Sequence, residues 1–370
     1  MIDPRMVKLA DVLIGYSTKV QPGERVLIDA YDVPEEMVCV LINRVVQAGG
    51  LPFVEEHRGR VGRAMLMAAT DKQLEIVGKH ALELMKEMNC YIALRGSYNI
   101  TETADVPDEK IKLRETYLKP VLDYRVNNTK WVVLRWPTPS MAQLAGMSTE
   151  QFENFYFDVC TLDYARMAAA EAPLKDRMEK TDIVRILGPR DTNLVFSIKG
   201  MPAVPCVGDR NIPDGEIYTA PIRDSVNGVI HFNAGTVYHG RTFDDIRLVF
   251  EDGRITDASG SDTNAINEIL DADEGARYIG EFALGFNPHI NRPMRDILFD
   301  EKIRGSIHLT PGQAYAEADN GNRSKIHWDL VLIQTAEYGG GEIWFDDELI
   351  RKDGLFVPDY LQPLNPENLV

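Results

Sequence analysis

The 370-residue chain carries 57 acidic against 40 basic residues, a formal net charge of −17, and is 44% hydrophobic. That balance predicts a soluble globular protein long enough for two domains, and it excludes a disordered chain and disfavours duplex nucleic acid or an anionic membrane surface as partner. Cys39, Cys90, Cys160 and Cys206 are widely spaced with no Cys-x-x-Cys pair, which speaks against a zinc ribbon or disulfide scaffold and fits a reducing cytoplasm.

The N-terminus (MIDPRMVKLADVLIGYSTKV) has an acidic residue early and no uninterrupted apolar stretch, so the expectation is an unexported protein. No later run approaches the ~20 apolar residues of a membrane span. From Arg25 to about Pro137, short apolar runs alternate with helix-like segments. RVLIDA precedes a helix beginning near Pro34 and stopped at Gly49-Gly50; LPFVEEH precedes a helix near 72 to 88; CYIALRG precedes a helix from about 108; KWVVLRWP follows. This alternation predicts an α/β N-terminal domain of parallel βαβ units. The turn after the first strand reads DAYDVPEE, so the Gly-x-Gly-x-x-Gly fingerprint of dinucleotide binding is absent.

Ser148 with Gln151 three residues later predicts a capping box opening one long helix to about Lys180, so that residues 1–180 form the N-terminal domain. Beyond Thr181 the texture changes to short β-like runs with glycine turns, including a hairpin at Asp252-Gly253 and few helices, such as TNAINEIL near 263 to 270. Residues 181–370 are therefore expected to form a predominantly β (α+β) catalytic domain.

In KIHWDLVLI, residues 325–333, strand alternation puts His327 and Asp329 on one face, opposite Trp328 and Leu330. An imidazole and a carboxylate on one face suit a metal, although any half-exposed strand yields the same pattern. His308, in GSIHLTPGQAY, adds a second imidazole in a neighbouring β-like segment, among only seven histidines in the chain. Glu281 stands among Ile279, Phe282, Ala283 and Leu284, where a buried carboxylate without a partner would cost several kcal/mol unless it faced water or a cation. Glu216 follows a Pro-Asp-Gly turn, and Glu301 lies in LFDEKIRG. Two metals need a bridging carboxylate plus terminal His, Asp and Glu ligands, and together they bind a carbonyl and lower the pKa of a shared water. With no cysteine among the candidates, zinc, cobalt and manganese all remain open.

Read in order, NIPDGEIYTAP, IGEFALGFNP, LFDEKIRGSIHLTPGQAY and GNRSKIHWDLVL resemble the signature segments of the M29 metallopeptidases, the aminopeptidase T and aminopeptidase S family. The likeness extends to the opening STKVQPGERVLIDA and the closing GGEIWFDDELIRKDGLFV, and so spans nearly the whole chain. It implies a cytoplasmic metallo-aminopeptidase with two divalent ions per chain (Zn, Co or Mn), held by Glu216, Glu281, Glu301, His308, His327 and Asp329. Glu281 would be the bridge and a candidate catalytic carboxylate, and Tyr315 falls on a tyrosine that assists catalysis. The resemblance also implies small peptide substrates and a homodimer with an internal chamber. One departure is visible: from Glu301 to His308 the chain reads EKIRGSIH, longer than the EN-type linker of the best-known members.

His308, His327 and Asp329 also make a two-His-one-carboxylate set. A mononuclear Fe(II) ring-cleaving dioxygenase of the dihydroxypyridine type, similar to this family in fold, is thus an alternative expectation. A non-catalytic peptide- or metal-binding protein is the other.

Overall fold

The computed structural model describes residues 2–238 and 240–370, which form two compact units. Of these, the first unit comprises residues 2–161 with 208–212, and the second the described residues of 162–207 and 213–370.

The first unit is built on a parallel sheet of β1 (Arg25–Tyr31), β2 (Leu51–His57), β3 (Cys90–Arg95) and β4 (Lys130–Arg135), with the short strand Asn211–Ile212 at the edge. The order is β2-β1-β3-β4-(211–212), and every neighbouring pair is parallel. The central strands β1 and β3 are buried almost throughout, which is why they read as continuous apolar runs. Helices α1 (Glu35–Gln47), α2 (Asp71–Glu87) and α3 (Asp108–Asn128) fill the connections where the alternation predicts them. The Thr70 side chain caps α2 by accepting from Gln73 N, and Gly49, at φ 82°, stops the chain after α1.

Near the carboxyl ends of these strands Asp29 is buried and accepts from Arg95 Nη2 at 2.7 Å and from the Tyr91 hydroxyl, with His57 Nε2 3.1 Å away. Burial alone would raise its carboxyl, but the hydrogen bond from His57 and the charge of Arg95 outweigh that and hold it at about 2. The same hydrogen bond raises His57 above its ordinary value.

From residue 149 to 178 the expected single helix is two: α4 (Thr149–Cys160) and α5 (Tyr164–Met178). Ser148 does cap the first, accepting from Gln151 N at 3.2 Å. The break comes from local polar groups that compete with the helix: the Thr161 hydroxyl turns back to Phe157 O, and Asp163 caps a new helix through Arg166 N. Helix α5 accordingly lies in the second unit.

The second unit is predominantly β. An eight-stranded antiparallel sheet runs in the order 254–259, 247–251, 227–231, 193–197, 183–187, 342–345, 348–352, 355–356. Its Asp252-Gly253 turn has φ 47° and 82°, the left-handed pair that a two-residue hairpin requires. A five-stranded antiparallel sheet contains β5 (Val204–Cys206), β6 (Glu216–Thr219), β7 (Ile279–Gly285), β8 (Ser306–Pro311) and β9 (Leu330–Ile333), ordered β9-β8-β7-β6-β5. One face of this sheet, with Phe282, Leu284, Ile307 and Leu309, is buried in the apolar core, where Phe282 meets Phe196 edge to face at 5.0 Å. Among the described residues no helix is long and apolar enough to cross a membrane.

Regular pairing of β9 begins at Leu330, so His327 and Asp329 precede the strand expected to carry them. His327 makes only an isolated bridge to Gly312, and Trp328 N donates to Pro311 O. The alternation still holds, with Trp328 buried on one side and the two polar side chains together on the other.

The Asp29 network gives a pH signature. Asp29 is depressed from 3.8, so its contribution is complete above that value and lost as pH falls toward about 2. His57 is raised from 6.5, so its contribution is complete below that value and lost as pH rises through its folded pKa. Asp29→Asn should therefore destabilise the first unit by about 2 kcal/mol at most, chiefly between about pH 4 and 6.5. Urea unfolding across pH reads this; a loss independent of pH would contradict it.

Candidate metal centre

The five-stranded sheet gathers acids and imidazoles on the face opposite the apolar core. On β7, Glu281, Ala283 and Gly285 alternate onto that face, and on β8 His308 pairs with Ala283. Glu216 opens β6 opposite Gly285. Gly215, at φ 127°, turns the chain into β6, and a Cβ there would lie 3.2 Å from the backbone of Asn287. A Cβ at Gly285 would lie 2.7 Å from the carbonyl oxygens of Glu301 and Ile303. Glycine at 285 thus lets the segment carrying Glu301 press against the sheet.

All six sequence-derived acids and histidines meet here. His308 Nε2 is 3.2 Å from Glu281 Oε1, while its Nδ1 is 3.5 Å from Glu216 Oε2. His327 Nε2 is 3.3 Å from Glu281 Oε2 and 3.3 Å from Asp329 Oδ1. Glu281 therefore presents one oxygen to each imidazole. Ligand-type atoms of these six fall into two groups, Glu216, Glu301 and His308, and Glu281, His327 and Asp329, with the atoms of each group within 4.8 Å of one another, and Glu216 also belongs to a third such group with Cys206 and Asp214. Tyr315 packs its ring 4.6 Å from His327 and 5.6 Å from Tyr218.

The electrostatics follow from crowding carboxylates where little water reaches. Burial would lower His308, but the hydrogen bond to Glu281 and the charge of Glu216 outweigh it and carry the imidazole up to about 10. His327, opposed by burial in the same way, is carried to about 11 by Asp329 and Glu281. Glu216 is pushed up to about 8, first by burial. Each shift says that the cluster gains from added positive charge.

Three further observations fit a divalent ion. Glu216 Oε2 and His308 Nδ1 are buried without a hydrogen-bond partner and face each other at 3.5 Å. Two ligands each about 2.1 Å from a tetrahedral ion stand roughly that far apart. His327 Nδ1 lies 2.8 Å from Gln313 O, an arrangement that keeps a proton on Nδ1, so that Nε2, facing the carboxylates, is the nitrogen that an ion would engage in place of a proton. Asp329 is itself oriented by Thr310 Oγ1, which donates to Oδ1 at 2.6 Å.

Sequence reasoning missed Lys302 and Asp214. Lys302 has no solvent exposure, and its ammonium lies 3.0 Å from Glu216 Oε1, in contact with Glu301 and 3.8 Å from Asp214. A lysine beside an acid has no periodic signature; only the cost of burying its charge would have marked it. Asp214 read as a turn residue. A separate group, Asp29, Glu55 and His57, lies in the first unit, where Glu55 Oε2, 4.0 Å from His57 Nε2, adjoins the Asp29 network described above.

Residues 2–341 match the sequence profile of the thermophilic metalloprotease (M29) family. The chain belongs to the M29 family. Aminopeptidase T of Thermus thermophilus is 32% identical over 375 aligned positions, covering 88% of this chain and 91% of that relative. Aminopeptidase 2 of Geobacillus stearothermophilus is 36% identical over 169 residues, 40% of this chain and 38% of that relative, so this chain aligns with little over a third of that relative's length. In fold, the chain is similar to wild-type AmpT from Thermus thermophilus, with a TM-score of 0.81 at 22% identity over 97% of this chain and all of the other. It is less similar to a 2,5-dihydroxypyridine dioxygenase from Pseudomonas putida, with a TM-score of 0.61 at 14% identity over 96% and 98% of the two chains. The M29 match and the aminopeptidase relatives agree with the sequence reading of a metal-dependent hydrolase.

An ion that binds this cluster in the M29 fold must stabilise it. Chelator-stripped protein should melt lower than protein with a divalent ion at about 100 Kd, by roughly 2.7 kcal/mol per ion. Scanning calorimetry with zinc, cobalt or manganese reads the shift, and an unchanged melting temperature with all three would count against a metal centre.

Proposed function

We propose that the protein is a metal-dependent aminopeptidase that removes N-terminal residues from small peptides, with two divalent ions held by Glu216, Glu281, Glu301, His308, His327 and Asp329. The observation that carries this reading is Glu281, whose two oxygens face two different imidazoles, each within its own three-residue donor group. M29 membership and the aminopeptidase names of the relatives support it. Two ions so held would bind the scissile carbonyl and activate a water.

The chain's own residues supply the rest. Tyr315, an exposed side chain, lies beside His327, and the desolvation around its hydroxyl, then the charges of Glu281 and Asp329, push its phenol up, so it stays a hydrogen-bond donor for the oxyanion. Glu281 or Glu216 carries the proton from water to the leaving amine. Thr310 and Gln313 O hold Asp329 and His327 in the orientation this needs. Zinc, cobalt or manganese suits the oxygen and nitrogen donors. A cytoplasmic location fits the four free cysteines, and a homodimer is part of this reading.

The iron dioxygenase reading draws on His308, His327 and Asp329 together and on the weaker fold likeness. Three extra carboxylates, Glu216, Glu281 and Glu301, crowd that triad beyond what one iron requires. Metal analysis beside a leucine p-nitroanilide release assay separates the two: about two zinc, cobalt or manganese ions with release supports the peptidase, and one oxygen-sensitive iron without release supports the dioxygenase.

Three substitutions sharpen the test. His327→Ala and Asp329→Ala should each abolish peptide hydrolysis while far-ultraviolet circular dichroism stays that of the parent; substantial retained activity would sink the assignment. Tyr315→Phe should lower kcat by roughly 10²-fold with KM little changed, as expected for a donor used in the transition state.

A further inference from the structure

Lys302 lies inside one of the two donor groups. Its ammonium donates to Glu216 Oε1 at 3.0 Å and to Glu301 Oε1, two of the three members of the group completed by His308. Glu216 is divided between two roles: Oε1 faces Lys302, and Oε2 faces the unpartnered Nδ1 of His308. Asp214 Oδ1, 3.8 Å from the ammonium, offsets part of its charge and also accepts from Gly215 N. In the other group no such cation intrudes: among the described residues, no lysine or arginine lies within ion-pair distance of Glu281, His327 or Asp329.

We propose that Lys302 is a fixed internal cation that makes the Glu216–Glu301–His308 position the weaker of the two metal positions. That position therefore fills after, and releases its ion before, the one formed by Glu281, His327 and Asp329. The inference rests on the two-metal reading above. Two physical effects act in the same direction. An ammonium in contact with two ligand carboxylates repels an ion bound by those carboxylates, at short range and away from water. It also stabilises the metal-free cluster, because Glu216 and Glu301 without it would be buried like charges with no compensation. Both effects reduce the gain from adding an ion. Lys302 is on this account a positioning residue that sets metal affinity, with no contact to substrate.

The test titrates cobalt(II) into chelator-stripped full-length protein, followed by calorimetry and visible absorbance. The parent should bind in two steps, the second at least about tenfold weaker than the first. In Lys302→Met the second step should tighten by about tenfold or more, while the first moves by less than about threefold. The metal-free variant should melt lower than the parent and gain more on adding cobalt, a pairing that simple loss of packing would not produce. Should Lys302→Met not fold, Lys302→Gln removes the charge while keeping a donor and carries the same expectation. Two equal steps in the parent, or a second step unchanged or weaker in the variant, would overturn the inference alone. Absence of any cobalt binding would overturn the two-metal reading and this inference with it.

Discussion

Five carboxylates, those of Asp214, Glu216, Glu281, Glu301 and Asp329, lie close together in the second unit where water is scarce, and they repel one another unless positive charge sits among them. Much of the local structure follows from that constraint. The two imidazoles take up protons far above their usual range, and a fully buried lysine is held among three of the acids. A fold that only needed a stable core would have filled this face with apolar residues. The opposite face of the same sheet shows that alternative in Phe282, Leu284, Ile307 and Leu309.

Holding such a cluster demands a frame that does not relax when the charges push. The central strands β7 and β8 supply it: each is buried along its length and hydrogen-bonded on both sides, so Glu281 and His308 hang from the most rigid part of the sheet. Small residues make the room. Ala283 pairs with His308, and Gly285 admits the carbonyls of Glu301 and Ile303 to a distance no side chain would allow. The acids are thus brought together by backbone geometry, and the favourable energy comes from the cations they attract.

Where a period exists, the residues announced themselves. The strand and helix alternation of the first unit was legible because each apolar run had one face or two to bury, and all six acids and histidines proposed from the motifs do lie in one cluster. The helix break at 161–163 was not legible, since Thr161 and Asp163 interrupt a pattern that otherwise continues helically. Helix 59–68 escaped as well, because GRVGRAMLMA has two glycines in its first four residues. Lys302 and Asp214 were hidden for a different reason: which charges meet in three dimensions depends on non-local pairing, and neither residue type nor spacing encodes it.

The site also depends on where the sheet stops being regular. In an unbroken ladder the Gln313 carbonyl would be committed to a neighbouring strand, whereas here, in the irregular stretch after β8, it faces His327 Nδ1 and fixes the ring. Trp328 N and Pro311 O keep the two segments in register through that stretch, so the imidazole is oriented without being paired as a strand residue. Glu301 likewise leaves from the end of a short helical turn, Ile297–Asp300, before the chain turns at Gly305 into β8. Rigid strands thus carry Glu281 and His308 at the centre, and irregular backbone carries Glu301, His327 and Asp329 around them. Side chains from regular strands alone would project in parallel rows, and converging on a common point requires the change of direction that these irregular segments provide.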